Sequence, residues 1–142
     1  MIDHDSLTIL LVDDDDVEQE AVIRSFKKNN IAFPVVTAAD GQEAIDILRG
    51  EHPEKQIQVP LIVLLDLNMP RMNGFEFLQA IRSDPQLLTT VVFVLTTSSA
   101  DSDRTRAYEE FIAGYMIKSA VGPQFGKLAS LLTNYTETVT LP

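Results

Sequence analysis

Asp13-Asp14, Asp66, Thr96 and Lys118 are the residues whose types and placing point most directly to chemistry. The acidic pair follows the apolar run ILLV, Asp66 ends LIVLL, Thr96 ends VVFVL, and Lys118 follows GYMI. A hard divalent cation such as Mg2+ takes one or two carboxylates and keeps positions open for water and phosphate oxygens. It also relieves the mutual repulsion of clustered acids. Asp13 and Asp14 are therefore metal candidates, while Asp15 or Asp16 suits the start of the next helix, where acids are favoured. Asp66 can act as a nucleophile toward phosphorus, giving an aspartyl phosphate, and can share the cation. Asn68, two residues on, can offer the metal its backbone carbonyl. The Thr96 hydroxyl can donate to a phosphoryl oxygen, and the Lys118 ammonium can pair first with Asp66 and later with its phosphate. Each residue also has a plainer reading: a capping run, a turn Asp, a strand Thr, a solvated Lys. Only the constellation lifts them. Tyr115 is either a core ring or a mobile one. His4 and His52 lie in Asp- or Pro-flanked surface sequence and take no role.

These groups meet only if the strands that end in them lie side by side. The apolar runs predict strands at Leu7–Val12, Phe33–Thr37, Leu61–Leu65, Val91–Leu95 and Gly114–Ile117. Three are apolar nearly throughout, as in strands covered on both faces, and the second and fifth are weaker. Helix-like segments alternate with them. Val17–Asn29 carries Val17, Ala21, Val22 and Phe26 on one side. Gly41–Gly50 carries Ala44, Ile45, Ile47 and Leu48. Phe75–Ser83 carries Phe77, Leu78 and Ile81. Gly122–Asn134 carries Phe125, Leu128, Leu131 and Leu132, with Pro123 in its first turn. The fourth, Ser102–Ile112, has only Ala107, Tyr108, Phe111 and Ile112 to bury and should be thinly packed. Alternation of this kind predicts an α/β, doubly wound (βα)5 sheet in the order 2-1-3-4-5, with ligands at the C-terminal strand ends.

At 142 residues the chain is one domain on the length prior, and 45% hydrophobic content supports a proper core. Without cysteine it has no disulfide or thiol chemistry. A net charge of -10 argues against a nucleic-acid binder. No apolar stretch is long enough to span a membrane, and the N-terminus lacks the features of a signal peptide. The expectation is a cytoplasmic single domain over 1–142, with a core of about 7–133, a tail of 134–142, and no room for an output domain.

The motifs LLVDDDD, LLDLNMPRMNG, VLTTSS and GYMIK together resemble the receiver domain of two-component response regulators over residues 7 to about 133. The resemblance implies a flavodoxin-like receiver fold in which Asp66 accepts phosphate from a histidine kinase. It implies Mg2+ on Asp13, Asp14, Asp66 and the Asn68 carbonyl. Thr96 and Lys118 would change contacts on phosphorylation, coupled to rotation of Tyr115, and so remodel the face made by the fourth helix, fifth strand and fifth helix. Reactions would be limited to self-phosphorylation and autodephosphorylation, with a phosphotransfer protein as one further partner. DVEQEAVIRSFKKNNI and VLTTSSADSDRTRAYE are similar to single-domain regulators paired with bacterial phytochromes, which implies a homodimer through that same face and the tail. One departure is Lys118-Ser119 where receivers have Lys-Pro. A cis bond before Ser would cost about 3–4 kcal/mol, so a trans bond and a changed turn are expected. Two alternatives stand beside this reading: a constitutive docking or dimerisation module, and a Mg2+-dependent aspartyl-phosphate phosphatase, against which Asn68 occupies the position of a second Asp.

Overall fold

The computed structural model describes residues 7–122 and 125–142; His4 and Pro123 lie outside them. Strands and helices alternate: β1 (Thr8–Val12), α1 (Asp16–Lys28), β2 (Val35–Ala38), α2 (Gly41–Leu48), β3 (Leu61–Leu65), α3 (Gly74–Arg82), β4 (Val91–Thr96), α4 (Asp101–Glu109), β5 (Gly114–Ile117) and α5 (Gly126–Thr138). All neighbouring strands are parallel, in the order β2-β1-β3-β4-β5. The expected doubly wound (βα)5 sheet in the order 2-1-3-4-5 is the observed one.

The two-residue period of a strand sends alternate side chains to opposite faces, and here both faces are covered. Leu10, Val12, Val63, Leu65, Val92 and Val94 pack toward α2 and α3, against Ala44, Ile45, Ile47, Phe77, Leu78 and Ile81. Ile9, Leu11, Ile62, Leu64, Phe93 and Leu95 pack toward α1 and α5, against Val22, Phe26, Leu128 and Leu132. This explains the unbroken apolar runs of the three central strands. β2 and β5 are the sheet edges and are mostly half-buried, which explains their weaker runs.

Several expectations need correction. Val17 is 77% exposed and leaves the α1 stripe to Ala21, Val22 and Phe26. Leu131 is also exposed, so α5 buries Leu128 and Leu132. The fifth helix starts and ends four residues later than expected. A 3-10 turn at Lys118–Ala120 takes up chain after β5, and Phe125 sits at φ 56° immediately before Gly126. The Lys118–Ser119 bond is trans as expected; the cis bond among the described residues is Val59–Pro60. Residues 134–138 are helix rather than tail, and the Tyr135 ring packs edge-on against Phe93 at 5.0 Å. His52 is not an idle surface residue. Its Nε2 is 3.0 Å from a Glu43 carboxylate oxygen, and its Nδ1 accepts from the backbone N–H groups of Glu54 and Lys55.

The fourth helix is thinly packed, as expected. Ala107 is its buried residue, Ile112 is buried just beyond it, and Tyr108 and Phe111 face outward. Two cationic contacts compensate. The Arg106 guanidinium lies 4.1 Å from the Phe75 ring centroid. Arg82 donates to the carbonyls of Leu88, Thr90, Glu110 and Phe111, tying the end of α3 to the loops that lead into β4 and β5.

Candidate functional site

Asp13 extends β1 by one residue, its N–H donating to the Ala38 carbonyl at 3.0 Å. Its own carbonyl accepts from the Gln19 side chain, and its Oδ1 from the Asp15 N–H at 2.9 Å. Asp66 extends β3 in the same way, donating its N–H to Val12 at 2.9 Å. Its Oδ1 accepts the Asn68 N–H at 3.2 Å. Both carboxylates are thus fixed by the sheet that carries them, with Asp13 4% and Asp66 8% exposed. Asp14 is exposed beside them. One carboxylate oxygen each from Asp13, Asp14 and Asp66 lie within 4.8 Å of one another. Three hard oxygen donors so grouped, one of them open to water, fit a small cation that prefers carboxylates and retains waters. A polar cleft of about 450 Å³ borders the cluster through Asp14, Leu67 and Asn68.

Lys118, following β5, reaches into the same cluster. Its Nζ lies 2.6 Å from Glu18 Oε2, 3.4 Å from Asp13 Oδ2 and 3.5 Å from Asp66 Oδ2. Burial pulls the ammonium pKa down, but the Glu18 hydrogen bond and the surrounding carboxylates outweigh it and hold Lys118 above its ordinary value. Asp13 is also raised, which for a carboxylate disfavours the charged form. Burial raises it from 3.8 to about 6, against the Asp15 hydrogen bond and the Lys118 charge.

A carboxylate pKa raised by folding contributes stability that is complete below its ordinary value and is lost as pH climbs through the folded one. Ionised Asp13 therefore weakens the metal-free fold above about pH 6, and a divalent cation offsets that loss. Thermal melts in EDTA and in Mg2+ should differ little at pH 5 and progressively more through pH 6 to 7.5. An equal Mg2+ shift at both ends of that range would refute the assignment of Asp13.

The loop after Asp66 is held by close backbone approach. A Cβ on Gly74 would stand 2.7 Å from the Asp66 carbonyl oxygen and 2.7 Å from Leu67 Cα, and the Gly74 N–H donates to Leu67. Asn73 and Glu76 form a reciprocal cap on α3. Arg71 pairs with buried Asp40, and the Gly41 N–H donates to Met72, so the loop also rests on the start of α2. Gly74→Ala should cost about 1–3 kcal/mol by forcing backbone apart. Urea unfolding measures this, and an unchanged midpoint would contradict the close approach.

Thr96 is fully buried at the end of β4, and its hydroxyl oxygen accepts the Ser98 N–H at 3.4 Å. Its hydrogen-bond partner is thus Ser98 rather than Asp66. The Ser98 hydroxyl donates to Asp103 at 2.7 Å, and the Ser98 carbonyl accepts the Tyr115 hydroxyl at 3.0 Å. Tyr115 is half-buried and anchored, and its N–H donates to the Tyr108 hydroxyl on α4. Of the predicted site residues, Asp13, Asp14, Asp66 and Lys118 converge directly. Asn68 adjoins through its N–H, while Thr96 and Tyr115 are linked to each other through Ser98. Glu18 and Asp103 are additions. An acid in the first turn of α1 was the sole sequence signal for Glu18, and it reads equally as a helix-end charge.

A family model described as the response regulator receiver domain matches residues 9–127. The response regulator Rcp1 of Synechocystis sp. is 33% identical over 135 residues, 94% of this chain and 92% of its own. The solved Mn(2+)-bound form of Rcp1 superposes with a TM-score of 0.82, at 32% identity, covering 96% of this chain and 99% of that one. The phosphorylated cyanobacterial phytochrome response regulator RcpA gives a TM-score of 0.80 at 31% identity, over 95% of this chain and 97% of that one. A probable methanogenesis regulatory protein, FilR2 of Methanothrix harundinacea, is 36% identical over 114 residues, 80% of this chain and 73% of its own.

Proposed function

The chain belongs to the response regulator receiver domain family, and from that premise we propose that Asp66 takes a phosphoryl group from a histidine kinase. The carrying observation is a buried carboxylate at a strand end, 3.5 Å from a buried ammonium and grouped with two more carboxylates. An Asp66 oxygen attacks phosphorus of a phosphohistidine or a small acyl phosphate. The O–P bond forms, the P–N or P–O bond to the donor breaks, and imidazole or carboxylate leaves. Asp13, Asp14, Asp66 and the Asn68 carbonyl are the residues that would hold Mg2+. When bound, that ion supplies positive charge against the phosphoryl oxygens. Lys118 and the Thr96 hydroxyl supply further charge and a hydrogen bond on this protein's own side.

A Thr96 drawn toward a phosphoryl oxygen changes its contact with Ser98, and through Ser98 the anchor of Tyr115. The affected element is α4, which has few buried contacts to resist movement. The signal on this reading is altered protein binding on the face of α4, β5 and α5, where Tyr108, Phe111 and Leu131 are exposed. Homodimerisation through that face and the C-terminal residues is part of the same proposal, as is phosphate exchange with a phosphotransfer protein. Residues 1–142 act as a single receiver unit with no external substrate and no nucleic-acid partner, and the site of action is the cytoplasm. Among the described residues no helix is long and apolar enough to cross a membrane. Pairing with a bacterial phytochrome kinase is supported by the likeness to RcpA, a phytochrome response regulator.

Intact mass after incubation with acetyl phosphate and Mg2+ is the test, beside an Asp66→Asn control. One added phosphoryl group that depends on both Mg2+ and Asp66 is expected. A blank with acetyl phosphate and again with a histidine kinase would leave the constitutive docking module as the better reading.

A further inference from the structure

Lys118 does not sit symmetrically among its carboxylates. Its nearest partner is Glu18 at 2.6 Å, whereas Asp13 and Asp66 stand at 3.4 and 3.5 Å. Asp15 caps α1, accepting from the N–H groups of Val17 and Glu18, and so fixes the backbone from which the Glu18 side chain projects. A helix-end acid has no need of this geometry. Asp16, also in the first turn, is exposed, while Glu18 is partly buried and engages the ammonium.

Resting on the phosphoacceptor reading of Asp66, we propose that Glu18 is a positioning residue that holds the Lys118 ammonium off Asp66 until a phosphoryl group draws it across. The ammonium held by Glu18 neutralises less of the Asp13, Asp14 and Asp66 charge, so the three acids remain a stronger site for a cation. The opposing consequence falls at transfer, because Lys118 must give up its shortest contact to reach the new phosphoryl oxygens. Glu18 thus trades transfer rate for cation affinity.

Replacing Glu18 should move these two quantities in opposite directions. In Glu18→Gln the Mg2+ concentration for half-maximal phosphorylation by acetyl phosphate should rise by about three- to tenfold, the scale of one partly buried charge contact. At saturating Mg2+ the transfer rate should rise by a similar factor, about three- to tenfold, and that gain should vanish in a Lys118→Met background. A saturated rate that stays level or falls, or an equal gain without Lys118, overturns the proposal. A second readout needs no phosphoryl transfer. In metal-free protein the NMR signal of the Lys118 side-chain nitrogen should shift in Glu18→Gln, and an unmoved signal also overturns the proposal. Wild-type protein that takes no phosphoryl group would instead sink the phosphoacceptor reading, with the amine signal still deciding the pairing.

Discussion

Asp66→Asn is expected to abolish phosphoryl uptake completely and, in EDTA at pH 7.5, to raise the melting temperature. The loss follows because an amide has no carboxylate oxygen to attack phosphorus. The gain follows from charge. Lys118 is one ammonium facing Asp13, Glu18 and Asp66, with Asp14 alongside. The Asp66 charge is among the groups that raise Asp13, so removing it lowers repulsion that the metal-free fold otherwise carries. Asn keeps an oxygen that can accept the Asn68 N–H, so the loop need not rearrange. Like charges held together for chemistry are a common place for a protein to give up stability. In Mg2+ the order should reverse, because wild type gains a cation that the variant binds poorly. Two melts per protein, with and without Mg2+, decide it. A variant that melts below wild type in EDTA would show that the acids are already balanced without metal.

The fold was legible because both faces of the central sheet are buried. Residues such as Leu64 and Leu65 point to opposite sides and still both need to be apolar, so the run itself marks the strand. The site was legible for a related reason: an Asp, a Thr or a Lys that ends such a run has one place to be, the C-terminal sheet edge. Contacts between residues far apart in sequence gave no such signal. Glu18 finds Lys118 across the sheet edge, and Arg82 finds four carbonyls on two loops. Neither side chain differs in type from a solvated surface charge. The start of α5 at Gly126 is hidden in the sequence for a local reason. Gly122 followed by Pro looks like a helix start, but Gly122 has φ +82° and lies before the helix. The trans turn at Lys118–Ala120 shifts the helix further along the chain. Val17, an apolar residue beside the acid run, fits the α1 stripe by spacing yet faces solvent.

Lys118→Met is the complementary experiment, expected to lower stability where Asp66→Asn raises it. The Lys118 side chain is 10% exposed and contacts Asp13 at 5% and Asp66 at 9%. Removing one partner of a buried pair leaves the other charged and unpaired, at a cost of roughly 3–5 kcal/mol. The pH dependence identifies the source. Lys118 has its pKa raised above the ordinary value, so its contribution is complete at every pH below that value and is lost only at strongly alkaline pH. Any change in the wild-type-to-variant gap between pH 5 and 8 must therefore come from the acids. Asp13, already pushed up to about 6 by burial, loses a lowering influence in the variant and takes a proton more readily. The deficit should thus be largest at pH 7.5 in EDTA, shrink toward pH 5, and shrink again when Mg2+ replaces the missing positive charge. Methionine fills much of the space of the lysine stem, so the result reports charge rather than a cavity. Urea unfolding at pH 5.5 and 7.5, each with EDTA and with Mg2+, measures all of this. A deficit unaffected by pH and by Mg2+ would mean that Lys118 contributes packing at the sheet edge, and that the carboxylates there are held by something other than its charge.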